Sequence, residues 1–452
     1  MMKTSPRLTR RHFIGTTATA AAALALPARA QDKKVFHFAQ IGCGGKGSSD
    51  LGNTVNAGGK LVAMCDVDER QARDTYNKYP DVPKFVDFRE MLDKMGDEID
   101  GVNVSTPDHT HAAAALEAIR RGKHVYVQKP LARTFHECQL LLEASRKHAV
   151  VTQMGNQGHA GAGLKLWKKM MDEGAFGEVQ EIHSWSNRPI WPQGMTEPPE
   201  PEAIPDGMHW DEWIGPVALR PFSSAYAPFK WRGWWDFGAG AMGDMACHNM
   251  DPAFWICQLG LPGAVRAEAS APAGIAYPES SVIEFAFPAN EVCPKGVKLT
   301  WYDGGKMPQI PEGAHPDVNL GDNGCMVVGS KMTASGGSHA APPRPIALGG
   351  KEFGAEVKEA EQHWNAAMKE LSGTDHHGEW VKAALDGDPK MPGSNFEYSV
   401  PMTQAILLGC IALRFPGQEL KWDADKSKFS NHEEANDWLS FKPRSDYRLS
   451  LG

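Results

Sequence analysis

Three side chains that can take part in proton transfer stand out in the chain, namely Lys129, Asp244 and His248. Lys129 follows the apolar run HVYV and precedes Pro130, which cannot continue a strand, so the lysine is expected at a strand end. Asp244 and His248 are four residues apart, and this spacing places both on one face of a helix. A histidine that exchanges a proton and a lysine that stabilises an alkoxide suit chemistry at a hydroxyl group. The alternative is a solvated lysine and a structural Asp–His pair.

A glycine-rich segment, QIGCGGKGSSD, contains Gly42, Gly44 and Gly47 in the pattern G-x-G-x-x-G, between a predicted strand and a predicted helix. The first glycine permits a tight turn, the second lets the backbone approach a pyrophosphate, and the third lets the helix pack on the strand. The free N–H groups of the helix N-terminus favour the pyrophosphate charge. The segment therefore predicts a dinucleotide site, with an ordinary strand-turn-helix as the alternative.

An acidic residue follows at the expected distance, since the strand KLVAMCDVD places Asp66 about 20 residues after the third glycine. A carboxylate in this position accepts hydrogen bonds from the adenosine ribose and repels a 2′-phosphate. NAD is therefore favoured over NADP, although the nearby Arg70 would weaken that preference.

The pattern of apolar residues predicts an α/β fold with two domains. Short apolar runs alternate with amphipathic segments through residues 34–155, which predicts a Rossmann dinucleotide-binding domain with a parallel sheet. Residues 156–452 contain alternating segments such as SSVIEFAFP and GVKLTWYDG, which predict an α+β domain with an open, mostly antiparallel sheet. Within it, Ala334–Gly350 is predicted to be a long polar loop and YSVPMTQAILLGCIALRF a buried helix. Ligands bind beyond the carboxyl ends of parallel strands, so Lys129 is expected to face the nicotinamide.

Composition and charge exclude several classes of protein. The chain has 452 residues, a net charge of −8 and no long basic run, which argues against a nucleic-acid partner. Its eight cysteines are scattered without a C-x-x-C pair, so they are predicted to be buried free thiols. His376 and His377 are adjacent, but no third ligand has a suitable spacing, so a loop or helix cap is favoured over a metal site.

The first thirty residues differ in character from the rest. The segment TRRHFIG, an alanine-rich run and a small-x-small site at Ala28–Ala30 predict that residues 1–30 are a twin-arginine signal. Cleavage would leave Gln31 at the mature N-terminus, and the protein would be periplasmic or secreted. Typical passengers of that pathway carry a cofactor that is already loaded, so a tightly bound NAD is expected. No other apolar run approaches the ~20 residues that a membrane span requires.

The segments AQIGCGGKG, STPDHTHAAAALEAIRRGKHVYVQKPLA and GDMACHNMD together resemble the glucose–fructose oxidoreductase, inositol dehydrogenase and rhizopine-catabolism (Gfo/Idh/MocA) family. The resemblance implies oxidation or reduction of a secondary hydroxyl of a sugar or cyclitol, with Lys129, Asp244 and His248 as the catalytic residues. It also implies a homodimer or homotetramer through the C-terminal sheet. One departure is Gln128, where the family usually has a glutamate. An amide can form hydrogen bonds but cannot neutralise a charge, so the way in which Lys129 is held is an open question.

The expected contacts of cofactor and substrate follow from the motifs and the resemblance. The cofactor-binding candidates are Gly42, Cys43, Gly44, Lys46, Gly47, Asp66, Thr106, His111 and Gln128. The substrate-binding candidates are Asn156, His159 and Tyr302, and no metal ligand is predicted.

The expected function is NAD-dependent oxidation or reduction at a secondary hydroxyl, with C3 as the expected position. His248 would accept the hydroxyl proton, Lys129 would bind the same oxygen, and Asp244 would orient the substrate or the imidazole. The segments QKPL, MGNQGH and WYDGG resemble secreted bacterial members that act on glycosides. Two alternatives stay open: a glycoside hydrolase that uses bound NAD in a transient oxidation and elimination, and a non-catalytic protein that binds NAD and sugar. Seven of the 14 tryptophans lie between Trp185 and Trp235, either in a saccharide site or in the core.

Overall fold

The computed structural model describes residues 35–270, 274–315, 318–447 and 449–451. The predicted export signal at residues 1–30 and its cleavage site lie outside the described residues. Within those ranges, no helix is long and apolar enough to cross a membrane.

The N-terminal domain is built on a parallel sheet, as predicted. In the described residues it has six strands in the order β3-β2-β1-β4-β5-β6. The strands are β1 (His37–Ile41), β2 (Lys60–Cys65), β3 (Lys84–Phe85), β4 (Gly101–Val104), β5 (His124–Val127) and β6 (Thr152–Met154). All neighbouring strands pair in parallel. The strand order reverses between β1 and β4, so a ligand crevice is expected there, beyond the carboxyl ends of the strands.

Five helices connect these strands. They are α1 (Lys46–Asn56), α2 (Glu69–Lys78), α3 (Phe88–Met95), α4 (Asp108–Arg120) and α5 (Phe135–His148). Helix α5 shows how the local sequence fixes a helix start: the Thr134 side chain accepts a hydrogen bond from the Glu137 amide, and the Glu137 side chain accepts one from the Thr134 amide. Since α5 begins just after Pro130, this cap also fixes where the segment that carries Lys129 ends.

The C-terminal domain is built on a larger sheet. The described strands follow the order β13-β12-β11-β7-β10-β9-β8-β14-β15. They are β7 (Val179–Trp185), β8 (Ala264–Ala269), β9 (Ser281–Phe287), β10 (Val297–Asp303), β11 (Gly324–Gly329), β12 (Met332–Gly337), β13 (Arg344–Leu348), β14 (Glu419–Asp423) and β15 (Lys428–Phe429). Strands β7 and β10 pair in parallel, and the other neighbours pair in antiparallel fashion. The prediction of a mostly antiparallel sheet is confirmed.

The prediction of a long polar loop over Ala334–Gly350 is wrong. This segment contains most of β12 and all of β13, and only residues 338–343 connect the two strands. The residues of β12 are small because its neighbours come close: a Cβ atom on Gly336 would lie 3.0 Å from the Trp167 ring. Small residues in a tightly packed strand have the same composition as a loop, so the sequence alone did not separate the two.

Helices cover this sheet and also reach back to the first one. They are α6 (Ala162–Asp172), α7 (Trp210–Ile214), α8 (Gly240–Asn249), α9 (Asp251–Cys257), α10 (Ala355–Lys369), α11 (His376–Asp386), α12 (Phe396–Ala412) and α13 (Glu433–Asn436). The predicted buried helix near the C-terminus is α12. Helix α11 packs on the N-terminal sheet, where Trp380 meets Phe36 edge to face with ring centroids 5.0 Å apart. The predicted boundary near residue 155 therefore separates the two sheets but not every helix.

All eight cysteines are free and buried, as predicted. His376 and His377 form the first turn of α11, whose N-cap is Asp375, so the expectation of a helix cap region is met. No group of three or more potential metal ligands occurs in the part of the chain that the structure describes.

Burial of His376 makes the stability of the fold depend on pH. Its Nδ1 accepts a hydrogen bond from the Gln153 amide at 3.1 Å, and its Nε2 lies 2.7 Å from the Met154 carbonyl oxygen, which suits a neutral ring. Burial lowers the pKa of His376 from 6.5 to about 3. As the pH falls below 6.5, His376 therefore binds a proton in the unfolded chain but not in the folded one. The folded protein loses stability over this range of pH.

We expect His376→Gln to reduce this pH dependence. Between pH 7 and pH 5 the wild-type protein should lose on the order of 2 kcal/mol more stability than the variant, because one pKa unit corresponds to about 1.4 kcal/mol. Denaturant unfolding at both pH values measures the difference. The matched control is His363→Gln, at an exposed position on α10. Equal pH dependence in all three proteins would show that the ring is not held neutral.

Candidate active site

A cavity of about 650 Å³ opens at the carboxyl ends of β1, β2, β4 and β5, and we call it the crevice. Its wall includes six of the predicted cofactor-binding residues, namely Gly42, Gly44, Lys46, Asp66, Thr106 and Gln128. The same wall includes Lys129, Asp244 and His248. The fold therefore brings the glycine loop and the three predicted catalytic side chains to one cavity.

The glycine loop adopts a conformation that larger residues would not permit. Gly42 has a φ of 80°, and a Cβ atom there would lie 2.5 Å from the Ser105 carbonyl oxygen. A Cβ on Gly47 would lie 1.9 Å from the Gly42 carbonyl oxygen, so this glycine allows the close approach of helix and strand that its place in the motif predicts. Cys43 is buried, with its thiol 3.5 Å from the Cys65 carbonyl oxygen, and does not reach the crevice. The loop fits the backbone cradle that a dinucleotide pyrophosphate needs.

Asp66 lies at the end of β2 and accepts hydrogen bonds from the backbone amides of Cys43 at 2.6 Å and Asp68 at 2.9 Å. Burial raises the pKa of its carboxyl, and these bonds partly oppose that effect. The neighbouring Arg70 is not free to meet a 2′-phosphate, because Asp68 accepts two hydrogen bonds from its guanidinium, at 2.8 and 2.7 Å. This end of the crevice therefore suits the ribose of NAD better than that of NADP.

Lys129 is held by Asp244 across the boundary between the two domains. Its Nζ donates to the Asp244 carboxylate at 2.8 Å and to the Asp244 backbone carbonyl at 2.7 Å. Lys129 follows β5, whereas Asp244 lies in α8 with Gly240–Gly243 before it. A lysine ammonium has three N–H groups, so one remains for an oxygen atom in the crevice.

Two arginines surround the same carboxylate. Arg232 Nε lies 3.3 Å from one Asp244 oxygen and Arg188 Nε lies 3.3 Å from the other. Arg232 also donates to the buried carboxylate of Asp108 at 2.9 Å. Burial alone would raise the pKa of the Asp244 carboxyl, but the charges of Lys129 and Arg232 hold it well below its usual range. Asp244 is therefore an anion near neutral pH, and it contacts Lys129 rather than an imidazole.

His248 lies one helical turn after Asp244 and is almost completely buried. Its ring stacks on that of His339, with centroids 3.9 Å apart, and its Nδ1 has no hydrogen-bond partner among the described residues. Burial lowers the pKa of His248 well below 6.5, and the charge of Lys129 lowers it further. The ring is neutral near pH 7, and because His248 lines the crevice, its unprotonated nitrogen is suited to accept a hydrogen bond from a ligand hydroxyl.

The contacts of Gln128 show how the lysine segment is held without the glutamate that the family usually has at this position. Its side-chain amide donates at 2.8 Å to Asp50, a carboxylate of α1 that is fully buried. Asp50 also accepts from Ser105 at 2.9 Å and from Lys46 at 2.8 Å, and His377 Nε2 lies 3.3 Å away. Asp50 thus places a carboxylate against Gln128, the residue next to Lys129. In the family pattern, the carboxylate belongs to residue 128 itself.

His111 and Thr106 connect the start of α4 to the lysine segment. His111 Nε2 lies 2.8 Å from the Thr106 carbonyl oxygen and its Nδ1 lies 2.8 Å from the Pro130 carbonyl oxygen. Thr106 reaches the crevice, whereas His111 is buried behind it. His111 therefore contacts the backbone that positions Lys129 and is not part of the crevice wall.

The three predicted substrate-binding residues lie away from the crevice wall. Asn156 and His159 are buried and contact Asp251, at 3.2 and 3.0 Å. The Tyr302 hydroxyl lies 3.1 Å from His183 Nδ1 on the neighbouring strand. Of the segment after β6, Gln157 lines the crevice, whereas Asn156 and His159 turn to Asp251 of α9 at the short helix Gln157–Ala160.

Some residues of the site were not predicted. They are Asp50, Arg188, Arg232 and His339. His339 lies in the 338–343 connection with a φ of 58°, and a non-glycine residue in this region of φ often marks a functional site. Of the tryptophan-rich segment, Trp213 and Trp231 reach the crevice, and Trp210 and Trp234 pack with Trp213 in a buried aromatic cluster.

Comparison with protein families gives two matches in order along the chain. A model of the Gfo/Idh/MocA oxidoreductase family, NAD-binding Rossmann fold, matches residues 36–156. A model of the C-terminal α/β domain of this oxidoreductase family matches residues 163–275. Together the two matches cover about half of the chain.

Two inositol 2-dehydrogenases match about a third of the chain each. The inositol 2-dehydrogenase of Burkholderia multivorans is 32% identical over 147 residues, which are 32% of this chain and 43% of the relative. That of Salmonella typhimurium is 29% identical over 182 residues, 38% of this chain and 52% of the relative. The chain thus spans about half the length of these relatives.

Solved structures match nearly the whole fold at low identity. The WlbA dehydrogenase from Bordetella pertussis, in complex with NADH and UDP-GlcNAcA, has a TM-score of 0.59 at 18% identity, over 87% of this chain and 100% of that one. Levoglucosan dehydrogenase, in complex with NADH and levoglucosan, has a TM-score of 0.55 at 16% identity, over 86% and 99%. At these identities the likeness concerns the fold alone.

We expect the charge of Asp50 to be transferable to residue 128. Asp50→Asn removes a buried carboxylate that holds several donors, and Gln128→Glu places two carboxylates 2.8 Å apart, so each should cost roughly 2–3 kcal/mol of stability. The double variant exchanges donor and acceptor and keeps one carboxylate, so most of the loss should return. Chemical unfolding of the four proteins measures the cycle. Additive losses would show that the position of the charge is fixed by its other partners.

We expect Asp68→Ser to shift cofactor preference toward NADP. A serine retains the N-cap of α2, whereas the Arg70 guanidinium loses its partner and becomes available to a 2′-phosphate. The ratio of NADPH to NADH affinity should rise roughly tenfold, which corresponds to about 1.4 kcal/mol. Fluorescence titration with both cofactors measures the ratio, and Asp74→Ser, at an exposed position of the same helix, is the control. An unchanged ratio in Asp68→Ser would exclude Arg70 from this end of the crevice.

Proposed function

Because the chain belongs to the Gfo/Idh/MocA oxidoreductase family and carries its NAD-binding domain, we propose that it oxidises or reduces a secondary hydroxyl of a sugar or glycoside with NAD. The observation that carries this proposal is the shared wall of one crevice. The glycine loop, the Lys129–Asp244 pair and the His248 side chain all line the same space. Bound NAD supplies the centre that accepts or donates the hydride.

His248 is the proton acceptor in this mechanism. Its pKa lies well below 6.5, because burial and the charge of Lys129 disfavour the imidazolium. The ring is therefore ready to take a proton near pH 7, and the substrate hydroxyl would donate to its unprotonated nitrogen. His339, stacked on its face, keeps the ring in place.

Lys129 stabilises the oxygen atom that loses this proton. Two of its three N–H groups are fixed by Asp244, which leaves the third for the substrate oxygen. A cation held in place in advance stabilises the developing alkoxide without reorganisation of the site. Asp244 acts through Lys129, and Arg232 and Arg188 balance its charge.

Several observations support a polyhydroxylated ring as the substrate. Matched relatives are named inositol 2-dehydrogenases, and two structures of similar fold contain UDP-GlcNAcA or levoglucosan. The crevice wall of this chain includes Trp213, Phe229 and Trp231, which offer apolar faces to the C–H surfaces of a sugar. We further propose reaction at C3 of a glycoside, a tightly bound NAD, export through the twin-arginine signal and assembly through the C-terminal sheet.

We expect Lys129→Met and His248→Ala each to abolish hydride transfer and to leave NAD bound, because neither residue belongs to the glycine loop that would hold the pyrophosphate. A positioned general base typically contributes ~100- to 10,000-fold, and a donor to the alkoxide a similar factor. The measurement is single-turnover reduction of bound NAD by glycosides, including C3-protected ones, followed at the nicotinamide absorbance.

The matched control is Lys60→Met, the same substitution at an exposed position at the start of β2, away from the crevice. It should reduce NAD at the wild-type rate. A wild-type rate in Lys129→Met or His248→Ala would assign that residue a structural role. Binding of NAD and sugar without any reduction in the wild-type protein would refute the enzymatic function.

A further inference from the structure

Two of the eight buried cysteines contact each other far from the crevice. Cys257 is the last residue of α9, and Cys293 lies in the turn between β9 and β10. The thiol of Cys257 forms a hydrogen bond with that of Cys293. Neither residue has a place in the cofactor site or in the proposed reaction.

Asn290 holds the backbone of both cysteines. Its side-chain amide donates to the Cys257 carbonyl oxygen at 3.0 Å, and its side-chain oxygen accepts from the Cys293 backbone amide at 2.7 Å. One residue therefore fixes the separation of the two segments, so the thiols stay in contact while the fold is intact. We propose that Cys257 and Cys293 are a redox-active pair that forms a disulfide when the folded protein meets a disulfide oxidant.

The reactivity of the two thiols differs in a way that suits this reaction. The hydrogen bond from Cys257 lowers the pKa of Cys293, and the same bond, together with burial, raises the pKa of Cys257. Cys293 is also nearer to solvent, since Glu291, Pro294 and Lys295 in its turn are exposed. Cys293 is thus the thiol that an oxidant reaches first.

The reaction is a thiol–disulfide exchange in two steps. The Cys293 thiolate attacks one sulfur of a small disulfide and releases one small thiolate, which leaves a mixed disulfide. Cys257 loses its proton and attacks the Cys293 sulfur, which releases the second thiolate. Two protein thiols are oxidised, one external disulfide is reduced to two thiols, and the two cysteine protons end on those thiols.

The bond would connect the end of α9 to the β9–β10 turn and close a loop of about 35 residues, which restricts the unfolded chain more than the folded one. The oxidised protein should therefore melt at a higher temperature than the reduced protein. An export route such as the one proposed for residues 1–30 would expose the pair to disulfide oxidants.

The test uses the full chain, reduced and then incubated under native conditions with glutathione disulfide. We expect the intact mass to fall by two hydrogen atoms, peptide mapping to link Cys257 with Cys293, and the melting temperature to rise and return on reduction. The matched control is Cys325→Ser, because Cys325 is another buried cysteine close enough to affect the pKa of Cys257. This variant should still form the disulfide between Cys257 and Cys293.

Cys257→Ser and Cys293→Ser should each abolish the mass change, and Cys293→Ser serves if the helix variant fails to fold. A folded chain that keeps all eight thiols while a model dithiol in the same tube is oxidised would overturn the proposal. A stable glutathione adduct without ring closure, or a link that includes Cys325, would overturn it as well. None of these outcomes depends on the proposed oxidoreductase activity.

Discussion

The ion pair between Lys129 and Asp244 is the interaction on which the site depends. It joins a strand end of one domain to a helix of the other, and both side chains are largely removed from water. Burying two charges costs several kcal/mol per ion unless further hydrogen bonds compensate. Here the backbone carbonyl of Asp244 and the two arginines provide that compensation. The positions of Lys129 and Asp244 must therefore be closely defined by the surrounding structure. The glycine-rich start of α8 allows the backbone of this helix to approach the lysine.

Two buried carboxylates, one from each domain, hold the segment that carries Lys129. Asp244 belongs to the C-terminal domain and fixes the ammonium of Lys129 from the side of the substrate. Asp50 belongs to the N-terminal domain and collects donors from the glycine-loop helix, the end of β5 and helix α11. Between them, the lysine segment is held from both sides. The amide of Gln128 suits this arrangement, because a second carboxylate beside Asp50 would repel it.

The sequence predicted most of what depends on short motifs. Gly42, Gly47 and Asp66 occupy the positions that their spacing implied, because a turn, a helix start and a strand end are local features. The long-range contributors were missed: Arg188, Arg232 and His339 reach the crevice from segments with no motif of their own. Asn156 and His159 follow a parallel strand, as crevice residues often do, but the partner that they contact, Asp251, lies about a hundred residues away in sequence. Such pairings depend on tertiary packing, which periodicity does not encode.

The return of the chain to the N-terminal sheet has a consequence for motion. The polypeptide leaves that sheet after β6, comes back with α11, and contacts it again at the start of α12, where the Phe396 amide donates to Thr152 at 3.0 Å. Two domains joined by a single linker can rotate about that linker as a hinge. When the chain passes between the domains several times, each further connection restricts such a rotation. We expect the two domains to move as one body, so that entry and exit of ligands depend on local displacement of the residues 338–343 connection and the aromatic side chains at the mouth of the crevice.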